Sequence, residues 1–171
     1  MQNDSTTDVC APRPVFVPPD GSRSAEPTGD ITIKLSGADT GGAVAVLEVR
    51  TDPDFSTPVH LHHIENECFY VIEGEYEIRV GEEIFHLKPG CGVYAPRFIP
   101  HAINTVSQKG GKLIVVAQPA GDIEAFSVDL FKVVSSGTRD QAAIKATILK
   151  HAIEVLGPPL SKTSQPAGSA A

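Results

Sequence analysis

The stretch that decides how this chain is read is His60-Leu61-His62-His63-Ile64-Glu65-Asn66-Glu67-Cys68-Phe69-Tyr70-Val71-Ile72-Glu73-Gly74. It holds two runs of strand length, Val59–His62 and Cys68–Ile72, between the turn signals Asp52-Pro53-Asp54 and Gly74. On a strand His60 and His62 point to the same face, with Cα atoms ~6.6 Å apart at ~3.3 Å per residue. Two imidazoles at that separation can converge on one ion through bonds of ~2.0–2.1 Å. Glu67 lies an odd number of residues from His62, so an uninterrupted strand would face it the wrong way, and a turn or bulge at His63–Asn66 is needed to reset the parity. A later segment, Gly90-x5-Pro96-Arg97-Phe98-Ile99-Pro100-His101, offers one more histidine.

Outward from this stretch the chain reads as β almost throughout. Ile31–Leu35 alternates apolar and polar residues, and Ala43–Arg50 is a nearly continuous apolar run. Tyr76–Val80, Ile84–Leu87, Gly92–Ala95, Ala102–Val106 and Leu113–Gln118 follow, separated by Gly81, Pro89-Gly90, Gly110-Gly111 and Pro119-Ala120-Gly121. Many short strands at regular spacing predict an antiparallel sandwich or jelly-roll barrel over residues 30–135. Residues 1–29 contain five prolines and read as an extended or partly disordered arm, whose Val15-Phe16-Val17 patch is suited to a sheet edge or a second subunit. Thr138-x-x-Gln141 is a capping-box signature. It opens a helix over 138–157 that carries Ile144, Ile148, Ala152 and Leu156 and packs on the barrel, with Gly157-Pro158-Pro159 as its stop. Residues 161–171 read as a flexible tail.

Composition bounds the function. The 171 residues suit one domain, which at this size buries roughly 70% of its unfolded surface without disulfide staples. A net charge of −7 and the lack of a Lys/Arg run argue against a nucleic-acid or anionic-membrane partner. No apolar run approaches the ~20 residues of a membrane span. Cys10, Cys68 and Cys91 cannot all pair within one chain and form no C-x-x-C, which suits reduced thiols. With no basic and apolar leader after Met1, the expected location is cytoplasmic.

The spacing His60-x-His62-x4-Glu67-x6-Gly74 resembles the first cupin motif, and Gly90-x5-Pro96-x-Phe98-x2-His101 resembles the second. The resemblance implies a single cupin jelly-roll β-barrel, an all-β fold, with His60, His62, Glu67 and His101 as ligands of one divalent transition metal ion (Fe, Ni, Cu, Co, Mn or Zn). Four sequence features depart from the pattern: Asp54 and Phe98 stand where glycine is usual, Cys91 where aspartate is frequent, and Asn104 falls one residue short of the motif's closing asparagine. Phe98 places a large ring beside His101, narrowing the pocket mouth or offering a planar substrate a stacking surface.

Compact single-barrel cupins with this ligand set resemble quercetinase-like dioxygenases, as do the stretches Pro119-Ala120-Gly121-x-x-Glu124-Ala125-Phe126 and Leu156-Gly157-Pro158-Pro159-Leu160. The activity so implied is oxygen-dependent C–C cleavage of a small phenolic, enolic or polyketide-like substrate, with Glu67 as ligand and general base. Two alternatives remain: a non-oxidative metal-dependent isomerase, decarboxylase or cyclase, and a small-molecule-binding cupin without turnover. Family habit and the arm suggest a homodimer.

Phe69, Tyr76, Tyr94, Phe98 and Ile99 are the candidate pocket lining. His63 and His86 read as outward residues, and His151 as a solvated or C-terminal-turn residue of the terminal helix. Glu65 competes with Glu67 as the carboxylate ligand, with spacing favouring Glu67. Cys68 faces away from the metal, Cys91 is a small filler, and Arg97 is a solvated loop residue.

Overall fold

Ten strands and three helices follow one another through the parts of the chain described by the computed structural model, residues 14–24, 30–136 and 141–160. In order they are β1 (Ile31–Leu35), α1 (Gly37–Thr40), β2 (Ala45–Thr51), β3 (Pro58–His62), β4 (Asn66–Glu73), β5 (Tyr76–Val80), β6 (Glu83–Leu87), β7 (Gly92–Ala95), β8 (His101–Thr105), β9 (Gly111–Gln118), α2 (Ile123–Ser135), α3 (Gln141–Lys150) and β10 (Ile153–Pro159). The strands form two five-stranded sheets, β1-β2-β9-β4-β7 and β10-β3-β8-β5-β6, with antiparallel pairing throughout. This is the jelly-roll arrangement that the strand pattern predicts.

Side chains inside the sandwich are graded by size along the strands. In the first sheet Ala45 pairs with Ala117, and Glu67 pairs with both Ala117 and Ala95. Two residues further along, Leu47 pairs with Val115, and Phe69 with Val115 and Val93. Alternation sends both rows inward, so one end of the core is lined by small residues and the next layer is bulky. The far end is closed by the Tyr76 hydroxyl, hydrogen-bonded to Thr51 at 2.8 Å. There Gly110 has φ 74°, and a Cβ would lie 2.2 Å from the Thr51 carbonyl oxygen, so only glycine fits.

The link between β3 and β4 answers the parity question. No bulge within one strand is involved: β3 belongs to the second sheet and β4 to the first, so the chain crosses the sandwich at residues 63–65. Glu67 therefore looks inward from the wall opposite His60 and His62.

The helix expected over 138–157 is corrected. Its capping residue Thr138 lies outside the described residues, α3 ends at Lys150, and Ala152 takes a left-handed φ of 55° that reverses the chain. Residues 153–159 are a strand, paired with β3 from Ile153 opposite His62 to Pro159 opposite Pro58. The four-residue spacing of Ile144, Ile148, Ala152 and Leu156 misleads because its last member lies beyond the helix. Leu156 is 46% exposed, whereas Ile153, off that spacing, is 3% exposed. The prolines are tolerated because β10 is an edge strand.

A second correction concerns 123–135, expected as part of the barrel. It is α2, with Ile123 buried and Phe126 packed on the core. Of the arm, residues 14–24 are described and lie beside β1. Arg23 N–H donates to the Ile33 carbonyl, the Lys34 ammonium donates to the Pro18, Pro19 and Gly21 carbonyls, and Arg23 pairs with Asp39. The arm is held by polar contacts while Phe16 remains 88% exposed. The tail, 161–171, lies outside the described residues.

The two readings of the C-terminal segment differ in a measurable way. Ile153→Ala should cost about 3 kcal/mol in urea unfolding, as for other buried aliphatic truncations. Leu156→Ala should cost no more than about 0.5 kcal/mol. A helix continuing to 157 would reverse the order.

Candidate metal centre

His60 and His62 leave β3 on the same inward face, and His101 starts β8 directly opposite His60. Their rings gather tightly, with centroids 4.5 Å apart for His60–His101, 5.4 Å for His60–His62 and 5.5 Å for His62–His101. Glu67 enters from the facing sheet, its Oε2 3.0 Å from His101 Nε2 and 3.4 Å from His62 Nε2. The residues between which it is paired, Ala95 and Ala117, leave room for the carboxylate and for what it faces.

The outer nitrogens of the three rings are all committed. His60 Nδ1 lies 2.8 Å from the Pro58 carbonyl, His101 Nδ1 lies 3.1 Å from the Ile99 carbonyl, and His62 Nδ1 lies 3.1 Å from Glu65 Oε2. A carbonyl or carboxylate oxygen only accepts, so each Nδ1 carries the hydrogen. In the neutral rings each Nε2 then presents a lone pair. These lone pairs and a carboxylate meet in a buried space, an arrangement suited to holding a cation.

One ligand atom from each of His60, His62, Glu67 and His101 lies within 4.8 Å of the others. Atoms bonded at about 2.1 Å to a common ion are at most about 4.2 Å apart, so side-chain shifts of a few tenths of an ångström close the set. The donor chemistry therefore fits a divalent transition ion.

Protons can fill part of the same role. Burial opposes charge on His62, but Glu67 and Glu65 outweigh it and raise its pKa above the usual 6.5. Burial and the neighbouring His101 charge push His60 down to about 4. Burial works against the Glu67 carboxylate too, yet the histidines outweigh it and hold its pKa down at about 2.

The structure brings some of the expected pocket residues to the site and not others. Phe69 forms its floor, with its ring 5.9 Å from that of His101. Phe98 and Ile99 are on the rim. Phe98 N–H donates to the His62 carbonyl at 2.9 Å, its ring meets His63 edge-on, and Arg97 sits over it at 5.6 Å. Phe98 holds this place with φ 66°, a strained value for a bulky side chain.

Tyr76 belongs to the opposite end of the core, and Tyr94 points outward from β7, opposite Cys68 and 55% exposed; neither reaches the histidines. A depression of about 690 Å³ lies at the far end, among Asp30, Arg50, Glu73 and Lys109. Among the described residues, the cluster of metal-ligating side chains lies at the other end of the core.

Two residues acquire roles that spacing does not reveal. Glu65 is 1% exposed and reaches the back of His62, on the side of the ring away from Glu67. His151 is in the C-terminal turn after α3, as one of its two readings has it, but it is buried there rather than solvated, between Asp122 (2.5 Å) and Asp129 (3.0 Å). Its partners lie 29 and 22 residues earlier, so no local pattern points to them. His63 pairs with Glu154 at the surface, and His86 is exposed beside Glu77.

Residues 47–117, the span from β2 through β9 that supplies all four side chains, match the family model for the cupin domain. Over these residues the chain carries a cupin domain. It is 29% identical over 63 residues to the uncharacterized protein MJ1618 of Methanocaldococcus jannaschii, a match covering 37% of this chain and 50% of that protein. The chain thus spans half the length of this curated relative.

Among solved structures it is similar to TT1209 from Thermus thermophilus, at 32% identity and TM-score 0.44 over 46% of this chain and 74% of that one. It is also similar to KdgF from Halomonas sp., at 21% identity and TM-score 0.47 over 57% and 84% of the respective chains.

The shifted histidines set the pH behaviour of the metal-free protein. Between pH 6.5 and about 4 the unfolded chain binds the His60 proton that the folded chain refuses, so stability falls as pH falls. Glu67 extends this loss below its usual 4.5 towards about 2. Above pH 6.5 the order reverses, because folded His62 keeps its proton longer and stability declines as pH rises through its folded pKa. Urea unfolding in the presence of a chelator should therefore show a maximum near pH 6.5, and His60→Asn should flatten the acid limb.

Proposed function

We propose that this chain is a mononuclear-metal cupin enzyme, a dioxygenase acting on a small phenolic, enolic or polyketide-like molecule. The observation that carries the reading is the meeting of three Nε2 atoms and one carboxylate oxygen in a space lined by alanines, with every Nδ1 already engaged as a donor. His60, His62, Glu67 and His101 would hold the ion. When bound, the ion supplies Lewis acidity to a substrate oxygen and, if redox-active, a route for electrons to dioxygen.

Glu67, held ionised by its histidine neighbours, accepts the proton of the substrate hydroxyl at a carboxylate oxygen. Phe69 and the apolar layer beneath it exclude water from this end of the core. Among the described residues no lysine or arginine is buried, so an anionic substrate would find no cationic side chain in the core. That supports a substrate that is neutral until it yields its proton to Glu67. Both atoms of dioxygen enter the product, so no external reductant is needed. The exposed Phe16, Tyr70 and Tyr94 support a homodimer, whose mass by light scattering would be twice 18.1 kDa.

The test begins with elemental analysis of freshly purified protein, followed by oxygen uptake with flavonols, enediols and polyphenols. About one equivalent of a redox-active ion and substrate-dependent oxygen consumption are expected. Glu67→Gln should keep most of the metal and lose turnover by about 100-fold or more. Product formation under strict anaerobiosis would replace the dioxygenase with a non-oxidative isomerase, decarboxylase or cyclase. A chain that takes up no metal yet binds such compounds would be a binding protein.

A further inference from the structure

Glu65 is a buried carboxylate that the chemistry above does not use, and its surroundings are built around it. Oε2 lies 3.1 Å from His62 Nδ1, while the opposite nitrogen of that ring, Nε2, faces Glu67 at 3.4 Å. Glu65 thus stands behind His62, where it cannot share an ion with Nε2. Its other oxygen, Oε1, accepts the Asp122 backbone N–H at 2.7 Å. Gly121, at φ 52°, lies directly against the carboxylate, and a Cβ there would be 2.0 Å from Oε1. The corner Gly121–Asp122 therefore encloses Glu65 and leads directly into α2.

The corner is itself tied down. The Asp122 carboxylate lies 2.5 Å from His151 Nδ1, and His151 Nε2 lies 3.0 Å from Asp129, which also pairs with Lys150 at 2.5 Å. His151 ends the segment that turns into β10, and β10 pairs Ile153 with His62. His62 is consequently held through its main chain by β10 and through its ring by Glu65, which the Gly121–Asp122 corner encloses.

We propose that Glu65 is the positioning residue of the metal centre, and that the Gly121–Asp122 corner, braced by His151, holds it in place. Glu65 fixes the hydrogen of His62 on Nδ1, aims Nε2 at the ion and raises the basicity of that nitrogen. The C-terminal helices are in this way part of the metal site rather than an attachment to the barrel. This inference rests on the metal-binding reading above.

The experiment uses the full chain, titrated with Co(II) or Ni(II) against a chromophoric chelator. Glu65→Gln offers one acceptor and one NH2 group where two N–H donors converge, so the ring must turn or move its hydrogen to Nε2. Affinity should fall by about 10–100-fold, with a changed Co(II) absorption spectrum, while His63→Gln leaves both unaltered. Gly121→Ala, which touches no proposed ligand, should crowd the carboxylate and lower affinity in the same direction. It also serves if Glu65→Gln does not fold.

A readout without metal is the 15N spectrum of the histidines at a pH where His62 is neutral. The hydrogen should reside on Nδ1 in the wild type and move towards Nε2 in Glu65→Gln. Affinity within twofold of wild type in both Glu65→Gln and Gly121→Ala, or a wild-type His62 with its hydrogen on Nε2, would overturn the inference. A wild type that binds no divalent ion would sink the metal reading, and with it the positioning role, even if the tautomer is as expected.

Discussion

Three imidazole nitrogens and a carboxylate oxygen, all acceptors in the neutral rings, face one another within a few ångströms where the two sheets meet. Such a cluster is unfavourable unless positive charge lies between its members, because burial removes the water that would otherwise solvate each lone pair. Without a metal, protons are the available positive charge, and the raised His62 pKa marks where one is held. The rest of the architecture is consistent with keeping these groups together. The carbonyls of Pro58 and Ile99 and the Glu65 carboxylate prevent the rings from turning their N–H groups inward, and the crossing at residues 63–65 places Glu67 on the opposite wall.

Space at the site comes from side-chain size. The inward row Ala45, Ala117, Glu67, Ala95 is flanked by Leu47, Val115, Phe69 and Val93, so room opens only at the layer where the histidines enter. The bulky layer shields the site from below. The rim is formed by the Phe98–Ile99 turn, whose backbone serves two of the clustered histidines at once: Phe98 N–H bonds the His62 carbonyl and the Ile99 carbonyl accepts from His101. The strain at Phe98 is therefore stored in a turn that orients His62 and His101.

The C-terminal third of the chain bears on the same site from outside the sandwich. Its helices lack the long apolar span of a membrane helix among the described residues. Their buried positions, Ile123 and Ile148, pack with the body of the protein, while His151 and Asp122 link the turns at their ends. β10 completes the second sheet beside the strand that carries two of the four clustered side chains.

Local information determined a large part of this protein. Alternation, apolar runs and turn residues define the nine strands from Ile31 to Gln118 to within two residues, because local Gly and Pro signals mark where each run stops. The spacings of His60, His62, Glu67 and His101 are likewise legible, since side chains that converge from neighbouring strands must recur at fixed offsets. What distance along the chain conceals, only the tertiary structure decided. Tyr76 and Phe69 look alike as apolar strand residues, but register places one at the closed end and the other under the histidines. The strand at 153–159 exists because β3 offers a free edge, which overrides a helical spacing. Glu65 and His151 find partners 57 and 29 residues away, and a hydrogen bond across that separation leaves no periodic trace in the sequence.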